Sequence, residues 1–174
     1  MQKVIRFFAV GLFFLLVAPM LHAALEHQAD PLLYELRSSL QQVFEDEEEC
    51  ERLYQKVKDL QNPTPIVKGY IGTIYIAKAR HVPIFKKMRN FNKGTDLLET
   101  AIKEAPSDVE LRFLRLTIQV NLPGFLGYNK NIDTDKNFLV NKYHTAGPRM
   151  KEAIIDYINN SGEFSADQRA QVRS

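Results

Sequence analysis

The stretch Leu111–Asn131, LRFLRLTIQVNLPGFLGYNKN, decides what kind of fold this chain has. Its first eleven residues carry apolar side chains at helical spacing, and no strand-like alternation runs through them. On a wheel turning about 100° per residue, with Leu111 at zero, Arg115, Gln119 and Arg112 fall at about 40°, 80° and 100°. Leu116, Val120, Phe113, Leu114 and Ile118 fill most of the remainder. One narrow polar stripe on an otherwise apolar cylinder predicts a central helix, packed on several sides. Pro123-Gly124 then suits a turn and Gly127 frees the chain again. The connection nevertheless keeps Phe125, Leu126 and Tyr128, where ordinary loops are polar.

Each feature admits two readings. A desolvated arginine without a partner costs several kcal/mol, so a buried stripe requires carboxylates or carbonyls beside it. Glu99, Glu104, Asp108, Glu110, Asp133 and Asp135 stand near enough in sequence to serve. Alternatively, two guanidiniums a turn apart suit bidentate recognition of an anion or a chain-terminal carboxylate. The apolar loop either plugs the end of the core or forms an exposed patch that a partner covers. Both partner-facing readings meet at one helix end. The candidate binding surface is therefore a groove beside Arg112, Arg115 and Gln119, with Phe125 and Tyr128 on its rim.

Working outward, the chain reads as about seven helices divided by turn signals, an all-α antiparallel stack of helical hairpins. Asp30-Pro31 opens the first, with Leu33, Leu36, Leu40 and Val43 on one face. A second, from about Glu47 to Leu60, turns Leu53, Val57 and Leu60 inward. Thr64-Pro65 starts a third that runs to about Arg80. A fourth carries Phe91, Gly94, Leu97, Leu98, Ala101 and Ile102 and stops at Ala105-Pro106. Ser107 with Glu110 has the form of a capping box for the central helix. Beyond the loop, helices are expected at Ile132–Tyr143 and from Pro148, the latter with Met150, Ile154, Ile155 and Ile158 inward. A last short helix opens at Ser165, where Gln168 makes a second capping box. The tail from 160 to 174 is open to fraying.

Within this series, GTDLLETAIKEAP (Gly94–Pro106) sets small, large apolar, Ala and Pro residues at spacings of four, three and five. That pattern resembles the second helix of a tetratricopeptide repeat, and Ile71-Gly72-x-x-Tyr75 resembles the core of the repeat's first helix. The resemblance covers residues 65–121, without a second copy of the pattern. About ten additional residues, around HVPIFKKMRNF (His81–Phe91), separate its two halves relative to the family's spacing. The chain is also similar to small exported bacterial helical proteins. The resemblance implies a stack of α-hairpins and, from the family, binding of a protein or peptide instead of catalysis; it transfers no functional residue.

The N-terminus carries Lys3 and Arg6, then the apolar run Phe7–Val17, then Leu21-His22-Ala23-Ala24. Charge, short apolar core and small residues in that order are expected of a secretory leader at 1–23, cleaved after Ala23 or Ala24. An uncleaved anchor is the other reading, but the run falls short of the ~20 residues a membrane span needs. The remainder, 24–174, reads as one helical domain that is exported to a periplasm or secreted. Of 23 basic and 21 acidic residues the leader takes two basic ones, so the rest balances at 21 each. A balanced chain lacks the net basic footprint of a nucleic-acid binder.

Charge is segregated along that balanced chain. EDEEECE (Glu45–Glu51) holds six carboxylates and the single cysteine, Cys50; residues 78–93 hold Lys78, Arg80, Lys86, Lys87, Arg89 and Lys93, with no acid. Two solvated faces that attract one another explain this. So does an anionic surface met peripherally by residues 78–93, although the spacing of Phe85, Met88 and Phe91 reads more readily as core. One cysteine in an exported chain leaves no internal disulfide, and its acidic neighbours disfavour a thiolate. No metal-ligand spacing, phosphate loop or nucleophile elbow is present, so neither a metal nor a cofactor is expected. The expectation is a non-catalytic module for a protein or peptide partner; an enzyme assembled around His81 and His144 with Asp133 and Arg80 is the competing class.

Overall fold

The computed structural model describes residues 30–173. The expected leader at 1–23, its cleavage after Ala23 or Ala24, and His27 lie outside the described residues. The described residues are helical, with no strand among them. The chain divides after Gln41 into two compact units. The first contributes one described helix, α1 (Pro31–Ser38). Asp30 opens it by accepting the Leu33 N–H at 3.1 Å, and Pro31 takes the first position, where no amide donor is missed.

The second unit holds α2 (Gln42–Glu45), α3 (Glu47–Val57), α4 (Pro65–His81), α5 (Ile84–Glu104), α6 (Val109–Asn121), α7 (Ile132–Lys142), α8 (Pro148–Asn160) and α9 (Ala166–Arg173). Two 3-10 turns, Gly124–Leu126 and Tyr143–Thr145, join the later helices. The single helix expected from Asp30 to Val43 is thus two, broken between Ser38 and Gln42. Asp46, not a residue of the basic or apolar classes, caps α3 by accepting from the Glu48 and Glu49 N–H groups at 2.8 and 3.2 Å.

The most enclosed helix is α4, whose residues 69–77 are buried without a break. It is packed by α2, α3, α5 and α6. Its pairing with α5 is tight, and glycines make it so. A Cβ on Gly72 would stand 2.6 Å from the Gly94 carbonyl oxygen, and one on Gly94 would stand 2.5 Å from that of Gly72. Both obstacles are backbone, so neither can move aside. The two helices are antiparallel: Lys68 meets Glu104 at 2.6 Å at one end, and Lys93 donates to the Tyr75 hydroxyl at 2.8 Å further along.

The opening of α6 differs from expectation. Asp108, not Ser107, is the cap, accepting from the Leu111 N–H at 3.1 Å. Glu110 is drawn into the interior instead of completing a capping box, and accepts the buried Tyr70 hydroxyl at 2.7 Å. The helix therefore begins one residue later, with a carboxylate that caps as well as a serine would. The second box forms as expected: the Gln168 N–H reaches Ser165 Oγ at 3.2 Å and the Ser165 N–H reaches Gln168 Oε1 at 3.0 Å.

A second part of the core gathers Val109 and Leu116 of α6, Leu139 and Val140 of α7, and Ile154 and Ile158 of α8. Phe164 and Val172 complete it, so the segment after 160 is tied down by its own apolar side chains. Leu60, expected inward, is exposed, because α3 ends at Val57 before reaching it.

Candidate functional site

The polar stripe of α6 is an internal ion-pair network. Arg115 has only 4% of its side chain exposed and Asp135 none. Arg115 grips Asp135 with two parallel bonds, Nε to Oδ2 and Nη2 to Oδ1, both 2.7 Å, and its Nη1 reaches Glu99 Oε2 at 2.7 Å. Arg112 adds a 3.2 Å bond to Asp135 Oδ1, a 3.4 Å contact with the Pro106 carbonyl, and a seat over the Phe138 ring at 5.1 Å. Burial works against the Arg115 charge, but the hydrogen bonds and attraction of Asp135 and then Glu99 outweigh it and push its pKa up.

Of the expected surface residues, Tyr128 joins this network. Its hydroxyl donates to Glu99 Oε1 at 2.7 Å, and its ring meets Phe91 edge-on at 6.1 Å. Burial first, and then the Glu99 carboxylate, push that hydroxyl's pKa well above the usual phenol range. Gln119 is buried one turn beyond Arg115, with neither polar atom of its amide hydrogen-bonded. Two guanidiniums thus face two carboxylates, and all three nitrogens of the Arg115 guanidinium are bonded, while Arg112 Nε is buried without a hydrogen-bond partner among the described residues. A charge-neutral cluster of this kind leaves an anion no free donor on Arg115. The structure corrects the expectation of a binding groove for Arg115 and places Arg112, Gln119 and Tyr128 in the same packed interface between α5, α6 and α7.

Phe125 departs from this group. It lies in the 3-10 turn Gly124–Leu126 and is 87% exposed. Gly127 ends that turn with φ 67°, a left-handed conformation that favours glycine. The turn is held from behind by Tyr128 while Phe125 points outward.

The other large apolar side chains exposed to this degree open α5. Ile84 is 80% exposed, Phe85 76% and Met88 54%. Phe85 and Met88 were expected in the core; only Phe91 of that spaced set is buried. Counted round α5 from Ile84 at about 100° per residue, Met88 and Phe85 follow within about 100°, and Arg89, Lys93 and Lys86 continue to about 200°. The solvent face is thus divided into an apolar stripe and a basic one. Arg80, Lys86 and Arg89 are exposed. Among the described residues no carboxylate pairs with Arg80, Lys86, Lys87 or Arg89.

The loop that carries Phe125 follows α6 and is anchored on α5 through Tyr128. Arg115 of α6 lies level with Glu99 of α5, and the two helices run in opposite senses. Moving six residues on along α6 to Asn121 moves about six back along α5, to the level of Lys93. The loop that follows Asn121 accordingly meets Phe91. The sequence signal for this surface was available in the uninterrupted basic run and its three apolar residues, though spacing alone assigned them inward.

Neither histidine of the competing enzyme reading engages the other among the described contacts. His81 Nε2 lies 3.3 Å from the Val43 carbonyl, and His144 meets the Tyr143 ring edge-on at 5.9 Å. Cys50 is buried against α4, and burial, ahead of its carboxylate neighbours, pushes its pKa up to about 11. Its neighbour Glu51 is paired with Lys78, and that bond lowers the Glu51 pKa. Among the described residues there is no cluster of side chains fit to hold a metal ion, and no helix long and apolar enough to cross a membrane.

No protein-family model matches the chain, and no curated protein and no solved structure matches it either.

Proposed function

We propose that this chain is an exported, non-catalytic binding module, a tetratricopeptide-like hairpin stack whose working surface is the end formed by the first turns of α5 and the turn carrying Phe125. Export rests on the leader pattern at 3–24, and the stack on the glycine-spaced pairing of α4 with α5. One observation carries the choice of surface: Ile84, Phe85 and Met88 all project into solvent from the first turns of α5, beside cations that have no carboxylate partner among the described residues. Monomeric proteins seldom leave large apolar side chains grouped in this way unless something covers them. The arginine stripe serves this surface indirectly, by fixing α6 and its loop against α5.

Photo-crosslinkers placed singly at positions 85, 88 and 125 of the exported chain test the surface. The expected result is adducts from those positions in living cells, and none from position 116, which is buried in the core. Absence of adducts from all three surface positions refutes the assignment.

A further inference from the structure

We infer that the occupant of this end is an anionic lipid surface, which the chain meets peripherally by inserting the first turns of α5; this rests on the surface assigned above. The overhang is the starting observation. α5 has 21 residues and α6 has 13. The α6 partner reaches back only to the level of about Lys93, and the first buried residue of α5 is Asn90. Ile84, Phe85, Lys86, Met88 and Arg89 are exposed on these first turns, while Lys87 is half-buried and reaches the Arg80 carbonyl at 3.5 Å. An apolar face flanked by a basic one is the pattern that interfacial helices lay ~5–10 Å into the headgroup boundary.

Charge points to the occupant. Ile84, Phe85 and Met88 present on the order of 400 Å² of apolar area, judged from what an aromatic side chain buries, beside an uninterrupted basic run. A lipid boundary deforms around single apolar side chains and adds the attraction of its headgroups. Those headgroups would meet Arg80, Lys86, Lys87 and Arg89, a stretch in which no acidic residue occurs between Leu60 and Thr95.

The acidic run lies against another side of α4. Glu47 to Glu49 open α3, which packs on the Lys78 side of α4, as the Lys78–Glu51 pair and the edge-on Tyr54–Tyr75 contact at 5.3 Å show; the first carboxylate on α5 itself, Asp96, comes seven residues after Arg89. Lys78 lies about 120° round α4 from Gly72, the face that receives α5. The acidic run would thus set the orientation, holding the α3 side off a negative surface while the α5 side approaches it.

Co-sedimentation of the full chain with vesicles tests the inference. Vesicles with about one-third anionic phospholipid should bind it at least tenfold more tightly than purely zwitterionic ones, since each cation near the surface contributes about fivefold. Raising salt several-fold should release most of it. Phe85→Ser/Met88→Ser and Lys86→Glu/Arg89→Glu should each weaken binding at least tenfold, with thermal unfolding unchanged because these side chains are exposed. Binding to soluble polyphosphate that equals vesicle binding and ignores Phe85→Ser/Met88→Ser would overturn the lipid inference. So would failure to bind vesicles together with protein-sized photo-adducts at position 85, an outcome that leaves the surface assignment standing. No adducts of either kind would remove both.

Discussion

Asp135 is the residue on which the α6 network turns, and replacing it gives the sharpest test of the structure. Its carboxylate is fully buried and accepts both bonds of the Arg115 fork and one from Arg112. Asp135→Ala leaves Arg115 buried with Glu99 alone, so one positive charge loses its main counter-charge in a desolvated site. Removing one partner of a buried pair costs about 3–5 kcal/mol. A domain of this size has about 5–15 kcal/mol in total, and each kcal/mol moves Tm by about 2–4 °C. The expected loss is therefore roughly 6–20 °C. Arg115→Met should cost a similar amount by stranding Asp135. In the double variant Arg115→Met/Asp135→Leu both charges leave together, and the cost should fall short of the sum of the singles by about 2 kcal/mol. Urea unfolding followed by circular dichroism measures all three. Single-variant losses under about 1 kcal/mol, adding within about 0.5 kcal/mol, would mean that Arg115 is bathed in water and available to a ligand.

The other expectations are briefer. Arg112→Gln/Arg115→Gln should unfold the chain in milder denaturant, where a surface binding role predicts unchanged stability and weaker partner capture. Gly72→Ala forces a methyl group against the Gly94 carbonyl and should cost about 1–3 kcal/mol in a melting assay; Gly124→Ala, with open space around it, should cost much less. Gln119→Met replaces a buried amide lacking partners and should leave Tm equal or higher; a loss above about 1 kcal/mol would show that the amide is bonded. Cys50 holds its proton more firmly folded than unfolded, so its contribution is complete below pH about 9 and disappears as pH rises through about 11. Cys50→Ala should remove that part of the alkaline decline, on the order of 2 kcal/mol, and the native thiol should resist alkylation at pH 8 while reacting in urea.

Helical class and most helix starts were legible because they are local. Asp30 and Ser165 act through hydrogen bonds three residues along the chain, a range that a sequence shows directly. Centrality was not. Leu111–Asn121 is well packed, yet the more enclosed helix is α4, where burial includes Gly69, Gly72 and Thr73. A hydropathy wheel gives little weight to such residues, although Gly72 lets the α5 backbone at Gly94 approach and Gly69 makes room for the Leu111 side chain. Thr73 hides its polarity by donating to the Gly69 carbonyl at 3.1 Å. The choice among six candidate carboxylates for the arginines was equally beyond the sequence, since Glu99 and Asp135 reach Arg115 from separate helices. Which of the six arrives is decided by packing.

The exposed start of α5 was only half legible: its basic run stands in the sequence, the exposure of its apolar residues does not. Spacing along α5 tells which side chains share a face; it does not tell whether a neighbouring helix extends far enough to cover them. Phe91 and Phe85 lie six residues apart on one helix, about 120° round it, and only Phe91 meets the Tyr128 ring. Phe91 lies on the packed side with Gly94 and Leu98, whereas Phe85 is on the solvent side. The first turns of α5 fall within His81–Phe91, the stretch that holds the ~10 residues in excess of the spacing the chain was expected to share with tetratricopeptide repeats. Lengthening both α4 and α5 past the Gly72–Gly94 crossing carries an apolar and cationic turn into solvent. Because the arginine network lies well behind that turn, loss of the tip's side chains and loss of the network should have separable consequences: the first should affect binding and the second stability.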